Sequence, residues 1–130
     1  MEYLSPQQVL FIHARLIAET GGSQGILDLG HLESAICRPQ AVFKGQELYP
    51  DIFLKAAALL DVMINDHPCI DGNKRTGISA SALFLRANGW SLKAGNEELL
   101  EFTLQVAISH PDLSILAEWF GHHGKYTSVK

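Results

Sequence analysis

The sequence predicts an all-α fold of six helices with one small β-hairpin flap. Three observations predict it. Apolar residues recur at helical spacing through most of the chain. The segments so patterned start at capping residues and stop at glycine or before proline. One stretch, 39–50, has no helical period and is bracketed by prolines. At 130 residues the chain fits one domain, 1–130.

Ser5-Pro6-Gln7-Gln8 opens the first helix. Ser5 can cap it, Pro6 suits the first helical position, and Gln8 completes a capping box. Val9, Ile12, His13, Leu16 and Ile17 share a face, and Gly21-Gly22 stops the helix. A short helix after Asp28 carries Leu32, Ala35 and Ile36 and ends before Pro39. In 39–50, Ala41-Val42-Phe43 and Glu47-Leu48-Tyr49 flank Lys44-Gly45-Gln46. That pattern fits a hairpin or flap, and fits an ordinary surface loop equally well.

Asp51 can cap a third helix reaching about Asn65, apolar nearly all round and therefore central. His67 to Asp71 interrupt the pattern. A fourth helix starts near Gly72 or Asn73 and runs to about Asn88, before Gly89. Its small residues, Gly77 to Ala82, suit close approach to a neighbour. Trp90-Ser91-Leu92 reads as an extended link. Asn96 caps a fifth helix with Glu97 and Glu98 in its first turn, where acids favour the dipole. His110-Pro111 ends it. Asp112 or Ser114 starts the sixth, carrying Ile115, Leu116, Trp119 and Phe120, and the tail 121–130 is expected to fray.

Composition narrows the function classes. With 47% apolar and 18% charged residues, the chain reads as a folded globule rather than a disordered one. Net charge is −4 and no basic tract occurs, which disfavours direct nucleic-acid binding. No apolar run is long enough for a bilayer, and the start resembles no signal peptide, so a cytoplasmic location is expected. The two cysteines, Cys37 and Cys69, have no metal or redox spacing.

The chemistry concentrates in His67-Pro68-Cys69-Ile70-Asp71-Gly72-Asn73-Lys74-Arg75-Thr76. A helix starting at Gly72 or Asn73 presents unpaired backbone N–H groups, a ready anion site. Lys74 and Arg75 add positive charge at that end. Cations there cost a few tenths to about 1 kcal/mol unless an anion offsets them. Asp71 is placed to hold Mg2+, which prefers one or two carboxylates plus phosphate oxygens and water. His67 could take a proton from an attacking hydroxyl. Taken singly, each residue has a plainer reading: a histidine as a helix cap, Asp-Gly as a turn, Lys-Arg as solvated charge. Their joint spacing is what points to phosphate chemistry. A metal hydrolase lacks a ligand triad, His122-His123 reads as solvated, and His13, His31, His110, Trp90 and Trp119 read as structural.

The run resembles the motif HxFx(D/E)GN(G/K)R of the Fic/Doc superfamily, and specifically its Doc ("death on curing") toxin branch, with Lys74 where adenylylating Fic enzymes carry glycine. Similar segments recur in order: Tyr3 to Pro6, Gly21-Gly22, Arg38 to Ala41, and Ala82 to Gly89. The likeness spans roughly residues 3 to 120. It implies a six-helix fold with a flap, and transfer of the γ-phosphate of ATP to a threonine of elongation factor Tu, arresting translation. It implies His67 as general base, Asp71 as the Mg2+ ligand, and Gly72, Asn73, Lys74 and Arg75 as phosphate-binding residues. It implies that the flap, at Val42, Phe43, Lys44 and Gly45, aligns the target by strand addition, and that a Phd-like antitoxin restrains the toxin.

Two departures matter. The motif phenylalanine is Cys69, which implies a looser or repacked loop and weaker catalysis. The second arginine of many Fic enzymes is Ile78, which argues against AMP transfer. The internal inhibitory motif (S/T)xxxE(G/N) is absent, since Ser114 to Glu118 is followed by Trp119. The alternatives are a Fic-type adenylyltransferase and a catalytically weak binding module that keeps the fold.

Overall fold

A computed structural model describes residues 1–127. Six α-helices and two short antiparallel strand pairs make up its regular structure, alongside a single 3-10 turn. Helix α1 (Pro6–Thr20) starts on the expected capping box: the Gln8 N–H donates to Ser5 Oγ at 3.2 Å, and the Ser5 N–H donates to Gln8 Oε1 at 2.7 Å. Helix α2 (Leu29–Cys37) is capped by Asp28, whose Oδ1 accepts from the His31 N–H at 3.0 Å. The helix ends before Pro39, as expected, and the chain then tightens into a 3-10 turn over Arg38–Gln40.

The stretch 39–50 does contain a hairpin. Strands β1 (Val42–Phe43) and β2 (Gln46–Glu47) pair Val42 with Glu47 and Phe43 with Gln46. Lys44 and Gly45 form the two-residue turn with φ of +52° and +77°. Left-handed backbone at both positions is the type I′ hairpin turn, whose twist matches that of the strands.

Helix α3 (Ile52–Asp66) is central, as its nearly continuous apolar surface requires. Asp51 Oδ1 accepts from the N–H groups of Phe53, at 2.6 Å, and Leu54, at 3.4 Å. Helix α4 (Asn73–Ala87) packs most extensively on α3. Gly77 explains the closeness: a Cβ there would lie 3.2 Å from both Leu60 Cδ1 and Met63 Cβ. Strand β3 (Trp90–Leu92) leads to α5 (Asn96–Ser109), α6 (Leu113–His123) and β4 (Gly124–Tyr126). Gly95, not Asn96, occupies the cap of α5. One apolar cluster draws on every helix, through Val9, Leu32, Leu60, Phe84, Val106 and Phe120 among others.

The tail is a correction. The expectation of fraying from Gly121 fails for the described residues, because α6 continues to His123 and β4 pairs antiparallel with β3. Trp90 is the physical reason. Its ring packs edge-on against Phe53 and Tyr126, at 4.9 and 5.2 Å between centroids, so the tail strand covers an aromatic that would otherwise face water. The rest of the expected frayed tail, 128–130, lies outside the described residues. Among the described residues no helix is long and apolar enough to cross a membrane.

Candidate active site

The loop between α3 and α4 holds the candidate residues, and neighbouring segments pin it. His67 ends α3 in left-handed backbone, φ +48°, with an exposed side chain. The buried Pro68 turns its carbonyl to the N–H groups of Leu27 and Asp28, at 2.8 and 3.1 Å. The Ile70 N–H donates to the Gly25 carbonyl at 3.2 Å, and Ile26 forms an isolated β-bridge with Cys69. The loop is thereby stitched to the segment before α2.

Cys69 is 1% exposed and belongs to the core. Burial pushes its thiol up to about 11, so it is a packing residue and not a thiolate nucleophile at neutral pH. Asn73, four residues on, closes the loop over it. The Asn73 Oδ1 accepts from the Cys69 N–H and its Nδ2 donates to the Cys69 carbonyl, both at 2.9 Å. The loop thus takes one donor and one acceptor site of that amide, and the Asn73 backbone N–H is left for a ligand.

Gly72 precedes α4 with φ +77° and a left-handed backbone. That conformation favours glycine, and a Cβ there would also come within 2.9 Å of Ile17 Cδ1 and force that methyl on α1 to shift. The first backbone bond of α4 runs from the Thr76 N–H to the Gly72 carbonyl at 2.9 Å, and no side chain caps this end. The N–H groups of Asn73, Lys74 and Arg75 therefore have no intrahelical partner. With the helix dipole they form an anion site.

Asp71 flanks that site. Its Oδ1 accepts from the Gly72 N–H at 2.8 Å and its Oδ2 from the Ser23 N–H at 3.2 Å. Those two backbone donors, with smaller help from the charges of Arg75 and His13, hold its carboxyl below the usual range. Its carbonyl accepts from His13 Nε2 at 2.7 Å, and the His13 ring is 2% exposed. Arg75 reaches back to α1: its Nη1 donates to Thr20 Oγ1 and, at 3.2 Å, to the Gly21 carbonyl, while its Nη2 lies 3.9 Å from Asp71 Oδ1. Lys74 is exposed and has no ion-pair partner among the described residues.

A groove of about 690 Å³ runs along these residues. Asp71, Gly72, Asn73, Lys74 and Arg75 form one wall, the end of α1 at Leu16 and Thr20 a second, and α5 at Asn96, Leu99, Leu100 and Thr103 a third. One end is thus cationic and rich in N–H groups, and the far wall is largely apolar. The structure brings together five of the expected residues. His67 is not among those lining the groove; it stands four residues before Asp71, at the end of α3. Val42, Phe43, Lys44 and Gly45 sit apart from the groove, exposed on their own hairpin.

Among the described residues no group of three or more His, Cys, Asp or Glu could hold a metal ion. A lone, half-exposed carboxylate beside an anion site suits only a cation that arrives with its own ligands, as Mg2+ does on a polyphosphate. A second hollow of about 600 Å³, between α5 and α6, contains neither lysine nor arginine. It is lined by Phe102 and Trp119, stacked at 3.9 Å, and by His123, which is bonded to Glu98 at 2.9 Å. That bond and its stacking on Trp119 make His123 a structural residue.

Sequence reasoning missed three residues that shape the site: His13, Thr20 and Ser23. Each meets Asp71 or Arg75 across about fifty positions of chain. The only trace was a histidine on the apolar face of α1.

A profile of the Fic/DOC family matches residues 3–85. Toxin Doc of Mycolicibacterium smegmatis (strain ATCC 700084 / mc(2)155) is 44% identical over 126 residues, covering 92% of this chain and 92% of that one. Protein kinase doc of Escherichia phage P1 is 32% identical over 118 residues, covering 91% of this chain and 92% of that one.

Proposed function

This chain belongs to the Fic/DOC family, and on that premise we propose that it is the toxin of a toxin–antitoxin pair, a protein kinase of the Doc kind. It transfers the γ-phosphate of ATP to a threonine of elongation factor Tu in the cytoplasm and so halts translation. One observation carries the reading: the unpaired N–H groups at the start of α4, flanked by Lys74, Arg75 and Asp71, face one groove of about 690 Å³. A triphosphate matches that end by charge and hydrogen bonding, and the wall of α5 offers an apolar surface to the base.

The chemistry follows from the charges. The backbone N–H groups of Asn73, Lys74 and Arg75 bind phosphate oxygens, and the Lys74 ammonium neutralises charge at the transferring end. Asp71 is the residue that would hold Mg2+, which supplies further charge neutralisation when bound with ATP. The target hydroxyl oxygen forms a bond to the γ-phosphorus, the bond from that phosphorus to the bridging oxygen breaks, and ADP leaves. The hydroxyl proton passes to His67. The imidazole is exposed at the end of α3, outside the lining of the groove and without a hydrogen-bond partner among the described residues, so it is free to take a proton from a docked acceptor. The hairpin at Val42 to Gly45 offers an edge for the target segment. A Phd-like antitoxin is the partner proposed to restrain it.

Ile78 lines the groove, so its wall is apolar where a second arginine would project, and this favours phosphate over AMP transfer. The test is mass spectrometry of elongation factor Tu after incubation with ATP and Mg2+. A gain of one phosphate, reduced about 10²–10⁴-fold by His67→Ala, bears the reading out. A gain of AMP establishes the adenylyltransferase alternative. No change in mass leaves the non-catalytic binding module.

A further inference from the structure

Among the described residues Lys55 is the one lysine or arginine that is buried. Its side chain is 1% exposed on α3, followed directly by Ala56, Ala57 and Ala58, all fully buried. A lysine in such a place is costly unless its ammonium is paired. Here the ammonium has three partners. It donates to the Pro39 carbonyl at 2.9 Å and to Glu47 Oε1 at 2.6 Å, and it stands 5.5 Å from the centre of the Tyr3 ring. Burial alone would pull the ammonium down, but the bond to Glu47 and the neighbouring Tyr3 outweigh it and hold it above the usual lysine range.

The placement of those partners is informative. Pro39 lies where the chain enters the hairpin, and Glu47 lies on the returning strand. Beyond the packing of the buried Pro39 turn on α3, little else fixes the hairpin to the body. Its strands are two residues each, and Val42 and Phe43 are 58% and 62% exposed. A hairpin that small does not hold its place by pairing alone. The Leu48 N–H donates to the Ala41 carbonyl at 2.9 Å, and Arg38 Nε donates to Tyr49 Oη at 2.8 Å. Those two bonds tie the flanks of the hairpin to each other and not to α3.

We infer that Lys55 is a positioning residue: it fixes both feet of the 42–47 hairpin to α3, the helix that ends at His67, and so sets the edge on which the target segment docks. This rests on the hairpin being the docking edge for a phosphorylated protein. Lys55 touches neither nucleotide nor acceptor in this arrangement; it sets the distance and orientation between the docked segment and the base.

Two variants test it: Lys55→Met, and Glu47→Gln, whose half-exposed side chain can change without opening the core. Hydrogen exchange followed by NMR is expected to show the Leu48 amide and the hairpin amides exchanging about tenfold faster or more in Lys55→Met, which removes the bond, and measurably faster in Glu47→Gln, which reduces it to a weaker bond with a neutral acceptor. Unchanged protection of Leu60 and Met63 shows that the fold is kept, and Glu47→Gln decides alone if Lys55→Met does not fold. In transfer assays KM for the protein acceptor is expected to rise several-fold, with KM for ATP unmoved. Hairpin exchange equal to wild type in a folded variant overturns the inference. Faster exchange with no change in acceptor KM overturns the docking role. If the wild-type chain modifies no acceptor, the kinase reading fails instead, and the exchange rates alone still judge whether Lys55 anchors the hairpin.

Discussion

The side chain of Asn73 closes on both backbone groups of Cys69, accepting from its N–H and donating to its carbonyl at 2.9 Å each. This pairing shapes the loop that presents Asp71 and starts α4 at Gly72. Asn73→Ala removes two partly buried hydrogen bonds, each worth about 1 kcal/mol net. Urea unfolding is expected to show a loss of about 2 kcal/mol, with weaker ATP binding although Lys74 and Arg75 are intact. An unchanged unfolding midpoint would contradict the clasp.

His13 supports the same loop from beneath, through its bond to the Asp71 carbonyl at 2.7 Å. His13→Leu leaves that carbonyl without its donor, at a cost of about 1–3 kcal/mol. His13→Gln keeps an N–H donor near the position of Nε2 and is expected to recover part of both stability and ATP affinity. Thermal unfolding and calorimetric titration with ATP check the pair. Equal damage from the two substitutions argues that His13 only fills space.

The two thiols are predicted to differ sharply. Cys37 is exposed, whereas Cys69 is buried with its thiol pushed up to about 11. At pH 8 roughly one Cys69 in a thousand is a thiolate, even before access is considered. Ellman's reagent should titrate one equivalent quickly in the native protein and the second only after unfolding. Two fast equivalents would show the loop to be open.

Asp71 sets an acid dependence. Its carboxyl is held below 3.8 by the backbone donors of Ser23 and Gly72. A depressed value stabilises the folded state above the ordinary carboxylate value, and that contribution is lost as pH falls through the lower folded value. Wild-type stability should therefore fall more steeply below about pH 4 than that of Asp71→Asn, measured by urea unfolding across the acid range. Parallel curves would mean that Asp71 is not preferentially ionised in the fold.

How much of this was legible in the sequence depends on how local each cause is. The helices were readable because their signals sit within a few residues, as with Ser5 and Gln8 or Asp51 and the N–H groups of Phe53 and Leu54. Asp71 to Arg75 were readable as one cluster because they are contiguous and share a helix start. The pairing of Trp90 with Tyr126 was not, because two three-residue strands far apart in the chain carry no pattern until the aromatic between them is placed. The contacts of His13, Thr20 and Ser23 with the loop were hidden for the same reason. Cys69 left two outcomes open in the sequence. Its small size implied a looser or a repacked loop, and the segment is held by the Ile26 bridge and the Asn73 amide rather than by a large side chain. The role of Lys55 had no local signal, since Pro39 and Glu47, on the preceding segment, gave no sign of meeting it.

The most direct measurement of the central claim is a two-dimensional amide NMR titration with ATP and Mg2+. The backbone amides of Asn73, Lys74 and Arg75 are expected to shift most, along with those of groove residues Leu99 and Thr103. Silence at those three amides, with shifts instead at Phe102, Trp119 and His123 between α5 and α6, would contradict a phosphate site at the start of α4.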